Sequence, residues 1–222
     1  MDVGDGWKYK LAKRAAEEIQ NRMIVNLGIG IPSFIPNYLP PERRVFFHGE
    51  NGVIGLGPSP ARGEEEENLC NAGGFPVTLQ HGGSYCDSAE AFAIIRNRHI
   101  DMSVLGALQV SSQGDLANWI IPGKKVPGMG GATELASRAK KVIILMSQCN
   151  KKGESKLVTT CTLPLTAKQC VDMVITEMGV YEICEEGFKL VELFHPFSIE
   201  EVRQRTNATL MISNNLIKRN DS

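Results

Sequence analysis

The chain lacks the features that mark exported, membrane-spanning or zinc-binding proteins. Its six cysteines form no CxxC pair, and none lies near a histidine at a spacing typical of zinc sites. No uncharged apolar run approaches the roughly 20 residues that span a bilayer. The first residues also lack the basic and apolar stretches of a secretory signal. We therefore expect a cytoplasmic protein with buried or half-buried free thiols, no metal site and no membrane contact. Cys86, in a glycine-rich turn, is the one cysteine that we consider as an alternative nucleophile.

The chain also lacks a large net charge of either sign. Lys and Arg total 24 against 25 Asp and Glu, so the formal charge of −1 provides no overall field for nucleic acid. The chain has 222 residues, enough for a hydrophobic core without disulfides or metals. We see no linker, and we predict one domain over residues 1–222. Its core covers about residues 8–210, and we expect the polar tail at 213–222 to be frayed.

Helical periodicity alternates with short apolar runs along the chain. Apolar residues at helical spacing predict an opening helix over 7–23, and further helices are expected at 88–95, 133–140 and after the capping box Ser198–Glu201. We expect Ser88 to cap the second of these helices. The apolar runs predict strands at 23–27, 44–48, 76–80, 100–110, 141–146, 156–161, 171–176, 180–184 and 188–194. This alternation is typical of an α/β protein with a largely parallel sheet covered on both faces.

Glycine is the residue in excess, and its 22 copies are clustered. Three glycine-rich loops, at 28–32, 49–57 and 128–131, each follow a predicted strand, the last after a longer connection. Ligands bind at the carboxyl ends of parallel strands, and glycine allows a backbone to approach a ligand closely. Three such loops around one sheet favour a binding site over simple tight turns.

The sharpest local feature is a glutamate between glycines. Glu50 follows an apolar strand within the run His48–Gly52. A carboxylate that is held among backbone groups loses solvation, and it can then act as a general base or as a nucleophile. The spacing does not choose between these roles, and a turn glutamate facing water remains the alternative. Asn51 is placed to hydrogen-bond a neighbouring oxygen.

Two other glycine-rich segments bear on the chemistry. Gly28–Pro32 lacks the third glycine of a dinucleotide fingerprint and the Gly-Lys-Ser/Thr of a P-loop, so we reject both interpretations. The segment 118–131 combines Pro, Gly and Lys, and backbone N–H groups in such a turn can stabilise an oxyanion. Lys124 and Lys125 are candidates for phosphate contacts, with an exposed basic turn as the alternative.

Five strings together resemble the B (β) subunit of family I CoA-transferases, similar to the C-terminal half of succinyl-CoA:3-oxoacid CoA-transferase. They are NLGIGIP (26–32), ENGVIGLGP (50–58), NAG (71–73), DSAEAFAIIRNRHID (87–101) and GDLANWIIPGKKVPGMGGA (114–132). The resemblance covers about residues 8–210. It implies an α/β fold with an open, mostly parallel sheet covered by helices, shared with sugar-phosphate isomerases.

The resemblance also implies a mechanism. Glu50 aligns with the nucleophile of the family, which moves CoA between an acyl-CoA and an acceptor carboxylate in ping-pong fashion through a γ-glutamyl-CoA thioester. Asn26 is implied to lie beside the reacting carbonyl. Gly130 or Gly131 is implied to supply an oxyanion-binding N–H, without a choice between the two.

The same resemblance implies ligands and a partner. Gly28, Gly30, Asn51, Gly52 and Lys124 are the residues expected to contact substrate or CoA. Coenzyme A and small carboxylic acids of the 3-oxoacid or short-chain type are expected as substrates, with no permanently bound cofactor. The A (α) subunit is absent from this chain, so a heterodimer or α2β2 heterotetramer with a separate partner is expected.

Three departures from the family pattern bear on specificity. Gly49 replaces the usual serine before the glutamate, Gly74-Phe75 replaces Lys-Glu, and Ser84–Cys86 replaces Ser-Phe-Phe. We infer a divergent carboxylate specificity.

Two alternative functions remain. One is an enolising isomerase with Glu50 as base, which would turn over without CoA. The other is a non-catalytic subunit that binds its partner without forming a thioester.

Overall fold

The computed structural model describes residues 6–123 and 129–220. Backbone contacts divide the chain into two compact units. The first consists of Met1–Gly106 and Arg138–Lys141, and the second of Ala107–Ser137 and Val142–Ser222. The sequence-based expectation of a single domain stays a prediction.

Three parallel strands form the core of the first unit. Its strands are β1 (Ile24–Leu27), β2 (Phe46–Gly49), β3 (Val53–Leu56), β4 (Leu79–Tyr85) and β5 (Met102–Gly106), in the spatial order β5-β1-β2-β3-β4. β1 pairs in parallel with β5 and β2, whereas β3 and β4 continue antiparallel from β2. Apolar side chains such as Val25, Phe47 and Met102 are fully or almost fully buried, as expected for strands covered on both faces.

The first helix of the first unit ends earlier than its sequence pattern predicts. α1 spans Gly6–Ala16, a 3₁₀ helix spans Ile31–Tyr38 and α2 spans Ser88–Arg96. The prediction that α1 continues to residue 23 was wrong. The Arg43 guanidinium binds the carbonyls of Ala16 and Ile19 at 3.2 and 2.8 Å, and the backbone at Arg22 turns to a positive φ before β1 begins. The cap of α2 is Asp87 rather than Ser88, because the Asp87 carboxylate accepts the Glu90 N–H at 2.8 Å.

Parallel and antiparallel pairs are combined in the second unit. Its strands are β6 (Gln109–Ser111), β7 (Leu116–Ala117), β8 (Lys141–Leu145), β9 (Leu157–Val158), β10 (Met173–Ile175), β11 (Gly179–Cys184), β12 (Gly187–Phe194) and β13 (Leu210–Arg219). Five of these strands are hydrogen-bonded neighbours in the order β13-β12-β11-β10-β8. A small separate sheet has the order β7-β6-β9. α3 spans Ala132–Arg138 and α4 spans Ile199–Gln204, which begins with the predicted Ser198–Glu201 capping box.

Three further expectations need correction. The apolar run 100–110 is two strands, β5 and β6, and the loop predicted at 49–57 contains β3. Residues 213–219 of the tail predicted to fray belong to β13, which pairs in parallel with β12, and Arg219 Nε lies 2.6 Å from Glu192 Oε2. Residues 221–222 of that tail lie outside the described part of the chain. A strand that pairs through its backbone can carry polar, exposed side chains, so composition did not reveal it.

The α/β class with parallel strand pairs and covering helices is confirmed. No helix in the described part of the chain is long and apolar enough to cross a membrane.

Candidate active site

Two adjacent parallel strands bring the candidate catalytic residues together. In the pairing of β1 with β2, Asn26 is the register partner of His48. The side chains of register partners in a parallel pair lie on the same face of a sheet. Glu50 follows the last residue of β2, so its carboxylate lies at the same edge as Asn26.

A tight turn holds Glu50 at this edge. The Gly52 N–H donates to the Gly49 carbonyl at 3.0 Å, and Gly52 has a φ of 99°. A Cβ at Gly52 would overlap the carbonyl oxygen of Cys86, whose own N–H donates to the Gly52 carbonyl at 2.9 Å. Only glycine satisfies both the positive φ and this close approach. Gly52 therefore fixes the turn that presents Glu50.

The side-chain amide of Asn26 is surrounded by acceptors. Asn26 Nδ2 lies 3.0 Å from Glu50 Oε2, 3.0 Å from the His48 carbonyl oxygen and 3.2 Å from His48 Nδ1. Because the amide carries two N–H groups, its donors are shared among three acceptors. Asn26 Oδ1 is buried and has no hydrogen-bond partner among the described residues. Glu50 thus accepts a hydrogen bond from the side chain of a fully buried residue.

His48 is almost completely buried beside this pair. His48 Nε2 lies 3.0 Å from the carbonyl oxygen of Ala91 in α2, and a carbonyl only accepts. Burial lowers the pKa of His48, and contacts with Ala91 and Glu50 oppose that shift only in part. The imidazole is therefore neutral at pH 7, with its proton on Nε2 and its Nδ1 accepting from Asn26.

A cavity with mostly apolar walls adjoins Glu50. Gly28, Gly30, His48 and Glu50 contribute to its wall, and the apolar side chains that line it are Leu27, Ile29, Phe34, Pro36, Phe47, Leu56, Ala72, Phe75 and Val77. Phe75 and Ile29 are more than half exposed, at 56% and 64%. The cavity combines a carboxylate with an apolar surface, which suits an organic substrate with few charges on the part that enters it.

The remaining predicted residues lie in different places. Asn51 donates through Nδ2 to the Cys70 carbonyl at 2.9 Å rather than to Glu50. Gly130 and Gly131 belong to the second unit, where Gly130 has a φ of 54° and the Gly131 carbonyl accepts the Leu135 N–H in the first turn of α3. Lys124 and Lys125 lie outside the described residues. The roles of these residues stay predictions.

The structure also accounts for the absence of a side chain at residue 49. A Cβ on Gly49 would lie 2.6 Å from Asn51 Oδ1 and 3.1 Å from Leu56 Cδ1. The side chain of Asn51 occupies the space that the usual serine would need. This departure from the family pattern is therefore coupled to the Asn51–Cys70 hydrogen bond.

The six cysteines are free thiols, but Cys70 is exposed, contrary to the expectation that all are buried or half-buried. Burial, assisted by Glu90 and Asp87, raises the pKa of Cys86 and so lowers its thiolate population. The structure does not favour Cys86 as a nucleophile.

Sequence reasoning missed one residue of the cluster. His48 stood in the singled-out run His48–Gly52, but no role followed from its position there. Its importance follows from the register of β1 with β2 and from the carbonyl that α2 presents, and neither is visible in a linear pattern.

Comparison with known proteins identifies the family. The pattern of the family described as "Coenzyme A transferase" matches residues 8–205. The chain belongs to this family. It is 55% identical over 212 residues to the probable coenzyme A transferase β subunit of Bacillus subtilis, covering 96% of this chain and 98% of that protein. It is 46% identical over 208 residues to the B subunit of a probable succinyl-CoA:3-ketoacid coenzyme A transferase of the same organism, covering 94% and 96%. The chain is therefore a CoA-transferase subunit of the B or β type.

A solved CoA-transferase shares the fold. The acyl-CoA transferase YdiF of Escherichia coli O157:H7 superposes with a TM-score of 0.77 at 18% identity. The match covers 99% of this chain and 44% of that longer chain. At this identity the likeness concerns the fold alone.

Proposed function

We propose that this CoA-transferase subunit supplies the nucleophile, Glu50, for moving CoA between an acyl-CoA and an acceptor carboxylate. The observation that carries the proposal is the carboxylate of Glu50, held by a glycine turn at a largely apolar cavity and bound by the Asn26 N–H. Glu50 Oε1 accepts no hydrogen bond among the described residues, which makes it the attacking atom. A restrained carboxylate with one free oxygen suits nucleophilic catalysis.

In the first step, Glu50 Oε1 attacks the carbonyl carbon of the acyl-CoA thioester. A C–O bond forms, the C–S bond breaks, and the sulfur leaves with the electron pair as CoA thiolate. The product on the enzyme is a mixed anhydride between Glu50 and the acyl group. No proton needs to be transferred, because a carboxylate enters and a thiolate leaves.

In the second step, the CoA thiolate attacks the side-chain carbonyl carbon of Glu50. A C–S bond forms to give the γ-glutamyl-CoA thioester, and the first acid leaves as a carboxylate that carries the former Oε1. An acceptor carboxylate then reverses both steps and leaves with CoA. Because the thioester energy is conserved in the glutamyl adduct, the exchange needs no ATP.

Asn26 serves this chemistry through its N–H groups. When the thiolate attacks the Glu50 carbonyl carbon, negative charge develops on the oxygen that Asn26 already contacts at 3.0 Å. A preorganised donor at that oxygen stabilises the transition state. A backbone N–H of Gly130 or Gly131 is proposed as the second donor, and Lys124 as a contact for CoA phosphates; both assignments rest on the family resemblance.

The proposed assembly includes a separate A-type subunit, as the names of the B and β relatives suggest, in a heterodimer or an α2β2 heterotetramer. CoA is a substrate in this proposal rather than a resident cofactor. The largely apolar cavity wall favours short-chain acyl groups or the pantetheine arm of CoA. Phe75, one of the departures from the family pattern, lies on that wall, and we infer a divergent carboxylate specificity from it.

Steady-state kinetics of the chain co-purified with its A subunit test the proposal. Varying acyl-CoA and acceptor together is expected to give the parallel double-reciprocal lines of a ping-pong mechanism. Glu50→Gln should abolish exchange, and Glu50→Asp should be severely impaired, because a missing methylene withdraws the carboxylate from its reacting position. Glu66→Gln, in the exposed charged loop, is the matched control.

Full exchange by Glu50→Gln would contradict the proposal. Turnover of a sugar phosphate without CoA would instead indicate that Glu50 acts as a base. A complex that binds CoA without exchanging it would indicate a non-catalytic subunit.

A further inference from the structure

Three buried polar residues form a row across neighbouring parallel strands of the first unit. Ser103 in β5 and His48 in β2 are both register partners of Asn26 in β1. Asn26 and Ser103 are fully buried and His48 is 2% exposed. Polar side chains are costly in such a core unless they are hydrogen-bonded. The other residues of β1, β2 and β5 are all apolar or glycine, so a row of three polar residues across these strands calls for a reason.

The row divides into a bonded part and an unbonded part. Ser103 Oγ has no hydrogen-bond partner among the described residues. Asn26 and His48, in contrast, form a continuous path from helix α2 to the nucleophile: Ala91 carbonyl to His48 Nε2, His48 Nδ1 to Asn26 Nδ2, and Asn26 Nδ2 to Glu50 Oε2. The distances along this path are 3.0, 3.2 and 3.0 Å.

The direction of each bond in this path is determined. The Ala91 carbonyl accepts, so His48 Nε2 must carry the proton. Neutral His48 Nδ1 then accepts, and only the NH₂ side of the Asn26 amide can donate to it. The same NH₂ group therefore faces Glu50. The opposite amide orientation would place Asn26 Oδ1 against three acceptors: His48 Nδ1, the His48 carbonyl oxygen and the Glu50 carboxylate.

We propose that His48 is a positioning residue for catalysis, which fixes the Asn26 amide with its N–H groups directed at Glu50. This inference rests on the proposed role of Glu50 as nucleophile. His48 contacts Asn26 rather than the reacting oxygen, and its effect passes through that amide. Helix α2 takes part as the anchor, because the Ala91 carbonyl selects the tautomer of His48.

Two substitutions separate positioning from filling of the core. His48→Gln keeps one donor and one acceptor on a planar group, so it can bind both the Ala91 carbonyl and Asn26. His48→Leu fills similar space but offers neither hydrogen bond. The matched control is Ile95→Val, at a buried residue of α2, which loosens packing without removing a polar contact.

We expect His48→Leu, in complex with the A subunit, to lower kcat on the order of 10²-fold with little change in KM, because the loss is one of geometry. The kcat of His48→Gln should be about ten-fold or more above that of His48→Leu. Ile95→Val should lower the melting temperature while kcat stays at the wild-type value. If His48→Leu keeps wild-type kcat, or if both His48 variants lose kcat only in proportion to melting temperature, the positioning role is wrong.

A measurement that is independent of turnover separates this inference from the proposed function. In nitrogen NMR of histidine-labelled protein, with His48→Gln used for assignment, we expect His48 to be the neutral Nε2–H tautomer at pH 7. Asn26→Ala should shift the Nδ1 resonance, because its hydrogen bond is lost. A proton on Nδ1 would overturn the positioning role even in an active enzyme. A wild-type complex that transfers no CoA, with His48 in the expected tautomer, would overturn the proposed function instead.

Discussion

Asn26 Nδ2 and Glu50 Oε2 are joined by a 3.0 Å hydrogen bond, although the residues are 24 positions apart in the sequence. The bond exists because β1 and β2 are neighbours in register and a glycine turn follows β2 immediately. The strand order of the sheet thus determines which donor the carboxylate meets.

Asn26→Asp tests this relationship directly. The substitution replaces an N–H donor with a second carboxylate, which repels Glu50 and the developing negative charge. We expect kcat to fall by about 10²–10³-fold, as for loss of an oxyanion donor. Transfer kinetics of the complex provide the measurement, and Asn215→Asp, exposed in β13, controls for the added charge. Activity of Asn26→Asp within two- or three-fold of wild type would remove Asn26 from the mechanism.

Gly52→Ala is expected to disrupt the turn that presents Glu50. The new Cβ would combine a φ of 99° with overlap on the Cys86 carbonyl. Gly30→Ala is the matched comparison, since Gly30 has a φ of 92° but no atom within 4 Å of the new Cβ. Backbone strain alone costs about 1–3 kcal/mol. Denaturant unfolding should show a clearly larger fall in the free energy of unfolding for Gly52→Ala than for Gly30→Ala. Equal falls in the two variants would contradict the packing argument.

Gly49→Ser restores the usual family residue but meets the side chain of Asn51. We expect Asn51 to rotate and release the Cys70 carbonyl, at a cost of about 1 kcal/mol for the lost hydrogen bond. In a double-mutant cycle with Asn51→Ala, the two losses should be less than additive. Gly6→Ser, where no atom lies within 4 Å of the new Cβ, serves as the control. Additive losses would show that the two positions are not coupled.

The buried His48 makes stability depend on pH. Burial lowers its pKa below the usual value of 6.5, with the nearby Glu50 carboxylate opposing the shift. The unfolded chain therefore binds a proton at a higher pH than the folded chain does. The stabilisation associated with neutral His48 is present above pH 6.5 and is lost as the pH falls through the lowered pKa.

His48→Gln removes this titration. Denaturant unfolding should therefore show that the free energy of unfolding of the wild type exceeds that of the variant by less at acidic pH than at neutral pH. An advantage that grows as the pH falls would contradict the lowered pKa of His48.

Local patterns predicted much of the fold, and long-range pairing explains where they failed. The Ser198–Glu201 capping box is a contact within one helical turn, so its residues alone identify it. The end of α1 depends on Arg43 from a distant segment, and β13 depends on pairing with β12, so neither could be read from periodicity.

The candidate site divides in the same way. Glu50 stood out because a carboxylate between glycines after a strand is unusual, and the family resemblance assigned its role. His48 lies two residues before it, but its function as a link depends on the Asn26 register and on the carbonyl of Ala91. Such a role becomes visible only when strand order and tautomer are known.

Intact-mass analysis of the chain in complex with its A subunit, after incubation with a panel of acyl-CoAs, tests the central claim most directly. We predict a mass increase equal to CoA less one water, because Oε1 leaves with the first acid. This increase should map to Glu50 by peptide analysis, be lost in Glu50→Gln and be retained in Glu66→Gln. The acyl-CoAs that give the adduct define the donors. An active complex that transfers CoA without any adduct on Glu50, or with the adduct on another residue, would contradict the account.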